Sequence, residues 1–174
     1  MVNSRMDRRC FLAALGALSL LPQYVRAEEY IDIDWSDLLP EGDTVLPPAL
    51  QALGAHDQSA LPSQQRASSG VRTDWNGQII RLPGFIVPLE YSGSGVTTFI
   101  LVPFVGACVH VPPPPANQLV LVTTQTPYEA QGLFEPVNVI GMFGTSATVT
   151  QLAEIGYALS ADRIEPFPLQ SWAR

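Results

Sequence analysis

From Val71 to Ile164 the apolar residues come in short β-branched and aromatic runs, and Pro, Gly or Asn ends each run before a long helix could form. Val96 to Val102, Leu119 to Thr124, Val137 to Phe143 and Gly156 to Ile164 read as strands, because branched and aromatic side chains suit a pleated, half-buried surface. The first run, Gln78 to Tyr91, is longer and contains Pro83-Gly84, which predicts a bulge or a sharp bend. Asn76-Gly77 ahead of it is a tight-turn signal. Thr148 to Ile155 is expected to form a short helix opened by Thr148 or Thr150. Five strands, a minor helix and a long bent first strand suit an all-β protein, a small five-stranded barrel of the OB type. In such a ring one bent strand serves both sides and no sheet edge is left open. A β-sandwich is the alternative. A chain of 174 residues supports one such core with extensions.

Residues 1–27 have the order of an export signal. Arg5, Arg8 and Arg9 make a positive start, Phe11 to Leu21 an apolar stretch, and Val25-Arg26-Ala27 a cleavage site before Glu28. The apolar stretch is about half of the roughly 20 residues a spanning helix needs, so no membrane span is expected after cleavage. Arg8-Arg9-Cys10-Phe11-Leu12 resembles the twin-arginine signal, whose route exports folded proteins. The expected location is the periplasm.

Cleavage would take four arginines and Asp7 from nine basic and sixteen acidic residues, leaving five against fifteen and a formal charge of −10. The chain has no lysine. Such a surface repels phosphate backbones and excludes nucleic acid as a partner, while a metal ion or a cation-rich partner is easily accommodated. Seven acids fall between Glu28 and Asp43, where Asp34, Trp35, Leu38 and Leu39 could form one turn docked by its apolar side. Residues 41–70, rich in Pro, Ala, Gln and Ser, read as an extended arm containing His56. The domain limits are therefore 1–27 for the signal, 28–70 for the arm, 71–167 for the barrel and 168–174 for a tail.

The chemistry-bearing stretch is Gly106-Ala107-Cys108-Val109-His110-Val111, followed by Pro112, Pro113, Pro114, Pro115, Ala116, Asn117 and Gln118. On an extended strand, residues two apart face the same way, which would bring the Cys108 sulfur beside the His110 imidazole. The four prolines favour a stiff polyproline segment able to fix that pair at a barrel mouth. Cleavage also removes Cys10, so Cys108 has no disulfide partner within the mature chain. Three readings stay open. Cys108 and His110 are two zinc ligands, with others from His56, an acid, water or a partner. Alternatively His110 activates Cys108 as a nucleophile. Or the thiol is a core residue. The sequence shows no Ser-His-Asp arrangement, phosphate-cradling loop, dinucleotide fingerprint or CxxC pair.

The run Gly106 to Gln118 resembles the signature of the bacterial domain of unknown function 3299 family, roughly GACIHVPPPPPNQ. Arg81 to Glu90 is similar to its RxPGYxVPLE element, and Phe99 to Phe104 to its FLLVPYxGAC element; the likeness covers about Trp35 to Phe167. Val109, Ala116 and Phe104 replace Ile, Pro and Tyr of the pattern. The resemblance implies an exported accessory protein linked to zinc handling or to an ABC-type transport system of the envelope. In that setting Cys108 and His110 would be metal ligands, zinc the cofactor and an envelope protein the partner. It implies no catalytic residue. The alternatives are a protein-interaction module presenting Pro112 to Pro115, Asn117 and Gln118, or a thiol-dependent enzyme using Cys108 and His110.

Overall fold

The computed structural model describes residues 29–43, 65–108 and 113–167. Arg8, Arg9, His56, His110, Pro112, most of the 41–70 arm and the 168–174 tail lie outside them. Six strands follow in order: β1 (Ile31–Asp32), β2 (Ile79–Ser92), β3 (Gly95–Val102), β4 (Val120–Tyr128), β5 (Pro136–Val149) and β6 (Glu154–Pro166). The ring runs β2-β3-β4-β6-β5 and closes where β5 pairs back onto β2, with β1 outside it on β2. Ring neighbours are antiparallel except β4 and β6, which run parallel from Val120 opposite Tyr157 to Thr124 opposite Ala161. This is the five-stranded barrel expected from the strand pattern, and its closure replaces the sandwich alternative.

Closure depends on β2 serving two partners. Its first half, Ile79 to Phe85, pairs with β5; its second half, Phe85 to Ser92, pairs with β3. The handover falls beside Gly84, where an added Cβ would lie 2.6 Å from Leu101 Cγ and 3.1 Å from the Val102 carbonyl oxygen. The expected bulge is absent at Pro83-Gly84, where the ladder to β5 is continuous; the register shifts instead between Pro88 and Tyr91. Gly84 therefore permits the bend by close approach, with no inserted residue. A second tight point is Gly141, at a register shift against β6, where a Cβ would meet the Ser160 carbonyl oxygen at 2.0 Å.

Alternation sorts the apolar side chains into two buried groups. Ile80, Leu82, Ile86, Phe99, Leu101 and Val139 fill the barrel. Phe85, Val87, Ile100 and Val102, one residue out of phase, form an outer cluster with Leu119 and Ile155. β2 and β3 are apolar on both faces because both faces are covered.

The expected helix over Thr148 to Ile155 is not formed. β5 runs to Val149, β6 starts at Glu154, and the two pair directly across Val149 and Glu154. Thr150 does cap, but it caps a hairpin: its Oγ1 accepts from the Leu152 and Ala153 amides at 3.2 and 3.1 Å. A threonine that starts a helix and one that closes a tight turn carry the same local signal. The minor helix lies elsewhere, as a single 3-10 turn at Ala116–Gln118.

The acidic N-terminal segment belongs to the domain. β1 runs parallel to β2, and Ile33 N donates to the Arg81 carbonyl at 3.1 Å. The Trp35 indole Nε1 donates to the Pro83 carbonyl at 2.8 Å. Residues 34–39 form consecutive turns that bury Trp35, Leu38 and Leu39, the docking expected from their spacing. Arg81 holds the outer side, bonding Asp32 through Nε and lying 4.8 Å from the Tyr30 ring centroid. The segment covers the β2 edge that closure leaves free, which removes an aggregation-prone template.

Gly84→Ala is expected to cost about 1–3 kcal/mol, because the Leu101 side chain must give way. Gly141→Ala should cost more, because the atom it meets is backbone. Chemical denaturation should rank wild type above Gly84→Ala and Gly84→Ala above Gly141→Ala; unchanged stability in either variant would contradict the close approach.

Candidate functional site

After β3 the chain turns through Pro103 to Gly106 and enters the signature. Gly106 sits at φ 94° and Cys108 at φ 65°. The latter is the left-handed region, which non-glycine residues adopt at a cost of about 1–3 kcal/mol unless the surroundings impose it. Cys108 is thus in a turn and not on a strand, so strand alternation does not set which way its neighbours face. His110 lies outside the described residues.

The Cys108 thiol is fully buried, packed in the outer cluster with Ala107, Val102, Leu119 and Ile155. Burial pushes its pKa from the ordinary 9.0 up to about 12. At neutral pH it is a protonated apolar side chain, the reverse of the lowered pKa that an activated cysteine needs. Among the described residues no three His, Cys, Asp or Glu side chains come together. Of the zinc ligands expected from the sequence, only Cys108 lies among the described residues, and no further His, Cys, Asp or Glu group gathers there into a set of three.

The described prolines and the amides of the signature are largely buried. Pro113 and Pro114 are buried and Pro115 is half-buried. Pro115, at φ −52° and ψ 151°, has the polyproline conformation expected of the run. Asn117 and Gln118 are only 1% and 4% exposed. Asn117 Nδ2 donates to Ser69 Oγ at 3.1 Å and to the Gly70 carbonyl at 2.9 Å. Gln118 Nε2 donates to the Trp35 carbonyl at 2.9 Å and to the Asn117 carbonyl at 3.0 Å. These side chains, expected to meet a partner, meet the chain's own N-terminal segments. Their oxygens, Oδ1 and Oε1, are buried without a hydrogen-bond partner, so the donated bonds alone fix each amide.

Two residues that sequence reasoning passed over complete the arrangement. Gln65 Nε2 donates to the Pro114 and Glu154 carbonyls, both at 2.8 Å, and its Oε1 accepts from Glu154 N at 2.7 Å. Tyr157, buried and stacked on Phe143 at 5.1 Å, donates its hydroxyl to the Leu38 carbonyl at 2.7 Å and accepts from Arg72 N at 2.7 Å. Neither has a local sequence signal; an inward-facing strand tyrosine looks like any core aromatic.

The model of the family of proteins of unknown function DUF3299 matches residues 35–166. The chain belongs to the DUF3299 family. The matched span opens at Trp35, so the docked turns from Trp35 to Leu39 are part of the DUF3299 unit. The crystal structure of a DUF3299 family protein from Pseudomonas aeruginosa PAO1 is similar, at 35% identity and a TM-score of 0.69, covering 80% of this chain and 97% of that one. No curated protein matches. In this DUF3299 member the described signature residues Ala107, Cys108, Pro113, Pro114, Asn117 and Gln118 are buried.

In the native protein Cys108 should resist iodoacetamide at pH 8 and react at least about a hundredfold faster once unfolded. Because its folded pKa is raised, the stability it contributes is fully present below pH 9 and is lost as pH rises toward 12. The stability difference between wild type and Cys108→Ala should stay constant below pH 9 and shift against wild type only in that alkaline window. Rapid native alkylation would contradict a sealed thiol.

Proposed function

We propose that this protein is an exported accessory module of the bacterial cell envelope that works by binding an envelope protein and not by catalysis. The observation that carries this is the outer cluster. It seals Cys108 away as a protonated thiol while leaving apolar residues exposed beside it. Phe104 and Phe134 pack on the cluster, and the residue next to each in the chain, Val105 and Leu133, is 61% and 51% exposed. Phe134 and Cys108 are the two described non-glycine residues with positive φ, and both border this cluster. Strained backbone around exposed apolar side chains suits a pre-shaped contact surface. The twin-arginine pattern at Arg8 and Arg9 and the acidic surface support export and argue against nucleic acid. Among the described residues no helix is long and apolar enough to cross a membrane.

A photocrosslinking residue placed at Val105 in living cells should form an adduct with an envelope protein, and the same residue at Tyr91 should not. The adduct should persist in Cys108→Ala and disappear when Arg8 and Arg9 are changed to Lys, which blocks export. An adduct that vanishes with Cys108→Ala would return the thiol to the function. No adduct at Val105 would overturn the surface.

A further inference from the structure

The hairpin end of β5 and β6 carries an open cavity of about 410 Å³ that the outer cluster does not explain. That volume lies in the lower part of the range, about 300–1,000 Å³, in which small molecules bind. Its walls are built by the signature. Asn117 pins Ser69 and Gly70 on one rim, Gln65 pins Glu154 on the other, and Ala116 of the 3-10 turn lies between. The strand wall is irregular: Thr145 pairs with Tyr157 and Thr148 with Ile155, so Ser146 and Ala147 together oppose Gly156 alone. Gly156 is held close, since a Cβ there would lie 2.8 Å from the Ala116 carbonyl oxygen. A bulge of this kind re-aims side chains and leaves backbone groups without ladder partners, a device common next to binding sites.

The lining sets the ligand chemistry. Val71, Ala116 and Ala147 give an apolar surface, and Thr145 and Ser146 add hydroxyls. Among the described residues Glu154 is the one charged residue lining the cavity, and no described basic residue lines it. Among the described residues the Glu154 carboxylate has no ion-pair partner, whereas Asp32, Asp74 and Glu165 each pair with an arginine. An acidic residue without an ion-pair partner on the lining of a part-apolar cavity, on a chain with a formal charge of −7, favours a positive group and repels an anion.

We propose that this cavity is a binding site for a small organic cation, an ammonium group carried on a short apolar body. The ammonium sits at Glu154 and bonds the hydroxyls of Thr145 or Ser146, and the body covers Val71 and Ala147. The site is separate from the Val105 surface, so either can fail without the other. The protein, purified from the cells that make it, is titrated with n-pentylamine, 1-pentanol and pentanoate while backbone amides are followed by NMR. Pentylammonium should shift the amides of Ser68 to Val71, Thr145 to Ala147 and Glu154 to Gly156, and bind at least about tenfold tighter than the alcohol or the acid. Glu154→Gln should reduce the amine to the level of the alcohol. Ala147→Phe, at an exposed position, should abolish the shifts while the rest of the spectrum stays folded. Absence of shifts at these amides would overturn the site. Equal binding of pentanol, or amine binding indifferent to Glu154→Gln, would overturn the cation.

Discussion

The handover of β2 from β5 to β3 beside Gly84 is the constraint on which the rest of this protein depends. A strand shared between two partners turns a sheet into a ring, and the ring defines an inside and an outside. Closure leaves the first half of β2 with one edge uncovered, and β1 with Trp35 covers it. It also gives β2 and β3 a second apolar face, which the loop carrying Cys108 covers from outside. The strap and the outer cluster are thus two answers to surfaces that the bend creates.

Polar side chains then fix what burial alone would leave loose. Hydrophobic contact does not specify register, whereas a buried amide or phenol with a partner does. Tyr157 reaches the Leu38 carbonyl, Gln118 the Trp35 carbonyl and Asn117 the Gly70 carbonyl. Each bond joins the barrel or its 3-10 turn to a segment that precedes the ring in sequence. The Asn117 anchor also shapes one rim of the cavity at the β5-β6 bulge, whereas Val105 and Leu133 stay exposed outside the anchored segments.

The barrel was legible because its signals are local: branched and aromatic runs, an Asn76-Gly77 turn, and a glycine inside the longest strand. β1 was not, because two residues in an acidic stretch have no periodicity to read. The Thr150 hairpin was misread as a helix start because side-chain capping looks alike in both. The site was less legible than the fold. Pairing Cys108 with His110 assumed an extended strand, and nothing local reveals that Cys108 adopts a left-handed turn and packs into a cluster drawn from three strands and the loops between them. The partners of Asn117 and Gln118 lie 47 and 83 residues away, a separation that only the closed ring brings together.

The central claim is that the Gln118 amide of the signature holds the N-terminal segment of β1 and Trp35 to Leu39, the strap, against a barrel that stands without its help. Native-state hydrogen exchange on Gln118→Ala tests it most directly. Protection at Ile33, Asp37 and Leu39, whose amides are bonded within the strap or to β2, should fall to near that of an open segment, while the β3 and β4 ladder keeps its protection. Unchanged protection in the strap, or an equal loss across strap and ladder, would contradict the account.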